Sequence, residues 1–498
     1  MTRPEPDTIS DPPESGRTLF LRVFPSIMLP MFLAMMDQTI IATALPAVAV
    51  DLGNVERVSW VVVSYLIATT IAAPVYGRLG DLLGRRRLMF VALALFMTAS
   101  VLCALATSIE LLTFARALQG LGGGGLMTLS QALIGEAVPP RERARYQGYL
   151  AANAVSASTF GPVVGGFLTE HFGWEAVFLV NVPLGLVAVA LTFRLRPLPG
   201  AGAARRFDVL GLVLFVLFVA PILLAVEQAQ RVRWDTLPGV LGLVAVGVAS
   251  FVLLIRHEKR AASPLLPIRL FRQAAIWRSD AMAAFHGATL VSLLTFMPLY
   301  LRIVRGVSAS ETGLLLLPLT AGIGLGAVVT GQIISRTGRT AILPSLGLIV
   351  VVLTLVFLAV RAPVLSNAAI VVLLAANALF MGTVMGVVQI TVQTVAGREG
   401  VGAAAGSVQF SRSVGAAFGT AAVGGVLFAT LAVMDPEAPR LLERLLGQGP
   451  EVLASLPAAR QAVVRSEIVL AFQAAFLTIA AFAAGALVLA WSIPVRRI

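Results

Sequence analysis

Long apolar runs recur along the chain from residue 24 to residue 492. They are continuous rather than alternating, which predicts helices apolar on most faces and not strands of a barrel. A helix that crosses a bilayer needs about 20 such residues. Stretches of that order occupy 24–46, 58–77, 88–107, 110–135, 146–168, 175–193, 208–227, 237–255, 275–300, 312–334, 341–360, 367–390, 403–431 and 468–492. The pattern therefore predicts an all-α membrane protein with 14 transmembrane helices.

Composition agrees with the pattern. Of 498 residues, 58% are hydrophobic and 12% charged, and the mean hydropathy is +0.91. Soluble domains run near 25% charged, so a soluble enzyme is excluded. The single cysteine, Cys103, excludes a disulfide framework. His171, His257 and His286 are too dispersed for a histidine metal site, and no metal or organic cofactor is expected. The first residues are polar and acidic (Glu5, Asp7, Asp11, Glu14), which predicts a cytoplasmic tail over 1–19 rather than a signal peptide.

The net charge of +12 would fit a nucleic-acid binder. Its distribution argues otherwise. With a cytoplasmic N-terminus, 25 of the 37 basic residues fall on the cytoplasmic side, loop by loop. That is the bias expected of a membrane protein, and it predicts that both termini are cytoplasmic. No single domain gathers the basic residues, so nucleic acid is not an expected partner. Two arginines, Arg116 and Arg412, are left inside predicted spans.

Two loops repeat. Gly77-Arg78-Leu79-Gly80-Asp81-Leu82-Leu83-Gly84-Arg85 matches Gly331 to Arg339 at three positions, Gly77, Gly84 and the final arginine, with Ser335 where the first copy has Asp81. Each loop joins two helices on one side, which suggests parallel halves. The implied domains are a bundle of six helices over 20–196, a linker with two extra helices over 197–262, and a second bundle over 263–498. The charged outer segment 433–466 is assigned no chemistry.

Charges inside the apolar spans are the candidate chemistry, because an intramembrane ionisable group is costly. Asp37 in helix 1 and Arg116 in helix 4 lie at similar depth, about 12–13 Å from the outer end at 1.5 Å per residue. They are expected to pair. Beside Arg⁺ a carboxylate is held ionised, and removal to a dry site favours its protonated form, which is the physics of a proton switch; a static ion pair is the alternative. In the first loop, Asp81 with Arg85 to Arg87 forms a candidate latch, with Gly77 and Gly84 allowing a tight turn. Gly161 and Gly165 make a close-packing face around Pro162 in helix 5. Asp280 lies near a helix end, within reach of Arg278 or Arg272. Gln38, Tyr65, Asn153, His286, Gln389, Gln393 and Arg412 are polar side chains on the spans and candidates to line a substrate cavity.

These motifs resemble the major facilitator superfamily, in its branch of 14-helix drug:proton antiporters. The resemblance rests on MMDQTIIATALP (35–46), GRLGDLLGRRR (77–87), LLTFARALQGLGGG (111–124) and STFGPVVGGFL (158–168), with ETGLLLLPL (311–319) and GAAAGSVQFSRSVGAAFG (402–419) in the second half. It implies the major facilitator fold, two six-helix bundles plus two linker helices, and alternating access driven by protons as the coupling ion. It gives Asp37 and Arg116 the coupling role. It makes Gly77, Asp81, Gly84, Arg85 and Arg86 the cytoplasmic latch, degenerate in the second half at Ser335. It assigns Gly161, Pro162, Gly165 and Gly166 to closure against the second half. Implied substrates are amphipathic, often cationic, drugs and dyes, exported by a monomer in a bacterial inner membrane. A dedicated exporter of one metabolite, lipid or siderophore is the alternative. A membrane enzyme or receptor is remote, because no nucleophile–base pair or phosphate loop is visible.

Overall fold

A computed structural model describes residues 24–53, 57–195, 207–229, 237–261, 263–266, 268–397, 400–448 and 456–497. Residues 1–19 and most of the connector 194–206 lie outside them. Among the described residues there is no strand, only an isolated bridge between Arg339 and Arg497.

The first bundle comprises α1 (Phe24–Asp51), α2 (Ser59–Leu83), α3 (Arg85–Ala104), α4 (Ile109–Ala137), α5 (Pro140–Phe172), and the short pair α6 (Ala176–Leu179) and α7 (Asn181–Thr192). The predicted sixth span is broken because Pro183 cannot donate to the carbonyl four residues back, at Leu179. Two further helices follow, α8 (Val209–Ala229) and α9 (Leu237–Glu258). The second bundle contains the short α10 (Ile268–Phe271), then α11 (Ala274–Ile303), α12 (Ala309–Thr337), α13 (Ile342–Arg361), α14 (Asn367–Ala396), α15 (Val401–Met434), α16 (Ala438–Gln448) and α17 (Ala458–Ser492). Eleven of these are long and apolar enough to cross a membrane. The glycine-rich α4, the more polar α5 and the broken α6–α7 occupy the remaining predicted spans.

Boundaries depart from the apolar pattern where polar ends continue a helix. Helix α5 starts six residues before the predicted span at 146, on Pro140, whose fixed φ suits a first turn. Helix α17 starts ten residues early, and the charged segment 433–466 holds the amphipathic α16. Its Arg460 pairs with Asp435, whose carboxyl is held below the usual range by the Glu437 backbone N–H and by that arginine.

The halves meet along two seams, α2 against α15 and α5 against α12. At the end carrying the repeated loops, backbones nearly touch. A Cβ added to Gly77 or Gly402 would strike the other's carbonyl oxygen, and one on Gly406 would sit 2.7 Å from that of Ala73. The second seam repeats the arrangement: Gly331 abuts Ala144, and a Cβ on Gly148 would lie 2.7 Å from the Ala327 carbonyl. Toward the opposite end, Gly166 on α5 and Gly313 on α12 face open space. The two halves are thus closed at the loop end, and among the described glycines none toward the opposite end presses on the other half. Helix α8 packs on α2 and α15, with Phe215 and Phe410 rings 5.3 Å apart, so it lies across the first seam, and α9 packs on α8.

Candidate functional site

Four helices converge on Asp37. It lies on α1 at a position fully removed from solvent, as does Arg116 on α4. The Arg116 guanidinium donates to one carboxylate oxygen at 2.6 Å. Gln119, one turn along α4, donates to the other at 2.9 Å, and Asn181 on α7 donates to that same oxygen at 2.7 Å. Arg116 also donates to the Gln119 amide oxygen (2.7 Å) and the Val61 carbonyl (3.3 Å), and lies 4.2 Å over the Tyr65 ring. Ser100 on α3 accepts from Gln119 at 2.7 Å. Burial of an ion pair is tolerable only with such satisfaction of its remaining polar atoms. The structure therefore brings the two expected partners together. It adds Gln119 and Asn181, which the apolar pattern around them concealed; Gln119's place three residues after Arg116, on one face of a helix, was the available signal.

The loop end holds the second cluster. Asp81 accepts from the backbone N–H groups of Gly402 (3.0 Å) and Ala403 (3.1 Å), and pairs with Arg85 at 2.6 Å. Arg85 also pairs with Glu136 at the end of α4. First-turn N–H groups have no partner within their own helix. Asp81 thus caps α15 from the other half of the protein, where charge and dipole also favour it. Gly84 takes φ +91° to turn the chain into α3. Arg86 instead reaches the Phe193 carbonyl at 3.1 Å. In the repeated loop, Ser335 donates to the Gln332 carbonyl, and among the described residues it has no hydrogen bond across the seam. The reason lies in its partner helix. Ala144 is the fifth residue of α5, and the first turn there carries Pro140, so no pair of free N–H groups waits for a carboxylate.

The motif on α5 departs from expectation. Gly161 and Gly165 press on α1, within the same half: a Cβ on Gly165 would lie 2.5 Å from the Ile40 carbonyl, and one on Gly161 would strike Thr39. Both neighbours are within three residues of Asp37. A Cβ on Gly166 would meet nothing within 4 Å, and Pro162 is half-buried. The face of α5 that does meet the second half is Ala144, Gly148, Ala152 and Val155, earlier in the helix.

Between the halves lies a cavity of about 140 Å³, lined by both. His286 and Arg412, among the candidate cavity residues, line it, and so do Gln131 and Gln147, which the sequence reading missed. The other candidates are placed elsewhere. Tyr65 is buried under Arg116 and donates to the Ala34 carbonyl at 2.9 Å. Asn153 donates to the Met28 carbonyl at 3.0 Å, tying α5 to α1. Gln393 donates to the Gln131 carbonyl across the halves at 3.0 Å. Gln389 is buried with its amide nitrogen unbonded, and Gln38 is half-buried on α1. Met31 and Met35 line the cavity from α1. Asp37, two residues beyond Met35, points about 200° around the helix and so away from it.

Asp280 does not form the expected pair. Arg278 donates to the Ser492 carbonyl, and both Asp280 oxygens are buried without a hydrogen bond. The facing Ser407 hydroxyl is bonded to the Ala404 carbonyl at 3.0 Å.

Residues 27–420 match the Major Facilitator Superfamily. The chain is 31% identical to the multidrug transporter protein MdtP of Bacillus subtilis over 83% of this chain and 76% of that one. It is 32% identical to the multidrug resistance protein Stp of Mycobacterium tuberculosis over 82% and 76%. The proton:xylose symporter XylE shares the fold, with a TM-score of 0.63 over 96% of both chains at 14% identity. Two helical bundles closed at one end over a shared cavity, in a chain of these relatives, place it as a multi-pass membrane transporter of the Major Facilitator Superfamily.

Proposed function

We propose that the protein is a proton-coupled antiporter that exports amphipathic compounds from the cytoplasm by alternating access. The observation that carries this is the buried Asp37–Arg116 pair held by Gln119 and Asn181. Protonation of Asp37 removes the charge that three donors hold and frees Arg116, Gln119 and Asn181 to find other partners. Four helices of one half meet at that carboxylate, so its charge state biases how they pack. Met35 carries the same helix to the cavity, which gives the proton site a mechanical route to the substrate. The multidrug transporters among its relatives support the export of amphipathic compounds.

With the loop end cytoplasmic, as the basic loops suggest, the closed seam is the outward-open form, in a bacterial inner membrane. Both halves and the cavity come from one chain, so the unit is a monomer. The test is dye accumulation in inverted vesicles energised by a proton gradient. Asp37→Asn is expected to abolish gradient-driven accumulation while leaving the protein folded and dye binding measurable. Accumulation at the wild-type rate in that variant overturns the coupling assignment.

A further inference from the structure

The cavity carries one full charge, and it is positive. Arg412 lines it near the middle of α15, about 17 Å along the helix from its first residue at 1.5 Å per residue. Among the described residues it makes no hydrogen bond or ion pair, and no acidic side chain lines the cavity with it. A guanidinium stays protonated at any physiological pH, so the cavity keeps a fixed positive charge. In an apolar span such a charge is costly until a counter-charge arrives.

Three further polar atoms of the cavity's lining residues are unused. His286 is bonded through Nε2 to the Met381 carbonyl at 3.1 Å, and its buried Nδ1 is left as an acceptor without a partner. The side-chain oxygen of Gln131, a second acceptor, is buried and unbonded, and so is the amide nitrogen of Gln147, the one unused donor, both on the other half. The two acceptors suit a hydroxyl or N–H group elsewhere on a ligand, and the Gln147 amide suits an anionic head group. The remaining wall is largely apolar and includes Met31, Met35, Met381 and Met385. Flexible, polarisable methionines fit many shapes of apolar body.

We propose that this cavity binds amphipathic anions, with a carboxylate or sulfonate on Arg412 and the apolar body against the methionines. The planar guanidinium fork matches two oxygens of such a group. Gln147 donates to the same head group from the opposite half, so an anion bridges the two halves. A cation in this place meets Arg412 as a like charge, and no carboxylate answers it. The proposal deepens the transport reading, since it names the substrate class of that reading's cavity.

The test is fluorescence titration of the purified full-length protein in a non-ionic detergent with two probes on one scaffold. One is dansylglycine, an anion; the other is a dansylaminoethyl-trimethylammonium salt. Dansylglycine is expected to bind at least about tenfold more tightly. Arg412→Gln is expected to weaken it by about tenfold or more while leaving the cationic probe unchanged or tighter. Arg412→Lys, which keeps the charge without the fork, retains the anion preference at reduced affinity. Equal or tighter binding of the cation to the wild type overturns the proposal. So does unchanged dansylglycine affinity in a folded Arg412→Gln protein. Should that variant fail to fold, the wild-type preference and Arg412→Lys still decide. Displacement of dansylglycine by phosphatidylglycerol and not by phosphatidylcholine names a lipid head group as the anion; no displacement names a soluble amphipath. The titration uses no proton gradient, so its failure is separate from failure of the Asp37 coupling test.

Discussion

At Asp81 one carboxylate serves two structures at once. It balances Arg85 within its own loop and caps a helix that belongs to the other half. Removal of a capping carboxylate costs about 0.5–2 kcal/mol, and here that energy belongs only to the closed loop end. Asp81→Ala is therefore expected to shift the resting population toward loop-end opening, by roughly two- to thirty-fold. Distance measurements between spin labels on the ends of α2 and α15 check this; an unchanged distance distribution refutes it. Ser335→Asp is expected to have little effect on that distribution, because the matching turn of α5 offers no pair of free N–H donors. Sequence identified Asp37, Arg116 and Asp81 because charge in an apolar context stands out. It missed Gln119, Asn181, Gln131 and Gln147, whose neutral amides gain meaning only from what they face. It also placed Tyr65 and Asn153 on the cavity, where their partners are backbone carbonyls within the first half.

Helices were legible because their lengths follow the bilayer, and the apolar runs mark that length on the chain. Their ends were less so. Polar turns beyond a span continue α5 and α17, and nothing in hydropathy marks them. Nor could spacing decide which neighbour a glycine face meets. Gly161 and Gly165 form such a face, yet it packs on α1 within its own half and beside Asp37. That assignment separates two adjacent glycines. Gly165→Ala is expected to displace α1 and lower thermal stability by about 1–3 kcal/mol through overpacking. Gly166→Ala, with nothing within 4 Å, is expected to fall within about 0.5 kcal/mol of wild type. Thermal unfolding of the two purified variants checks the pair, and equal losses would refute the placement.

Across the whole molecule, the repeated loops yield the same backbone contacts on both seams, Gly77 with Gly402 and Gly331 with Ala144. A paired cysteine substitution at Ala144 and Gly331 is expected to cross-link and stop transport, while probe binding from the opposite end persists. Recovery of transport on reduction checks that the arrest is conformational. Binding lost together with transport would place the entry at the loop end instead. The symmetry of these contacts does not extend to their surroundings. Helix α8 covers the α2–α15 seam, with α9 packed on it and joined to it by the His257–Asp208 pair at 2.8 Å, and Arg78 of α2 donates to Ser263 beyond α9 at 2.9 Å. Among the described residues, no comparable pair covers the α5–α12 seam. A molecule dissolved in the lipid therefore meets a covered joint on one flank and an uncovered one on the other, so the two flanks present unlike faces to the bilayer.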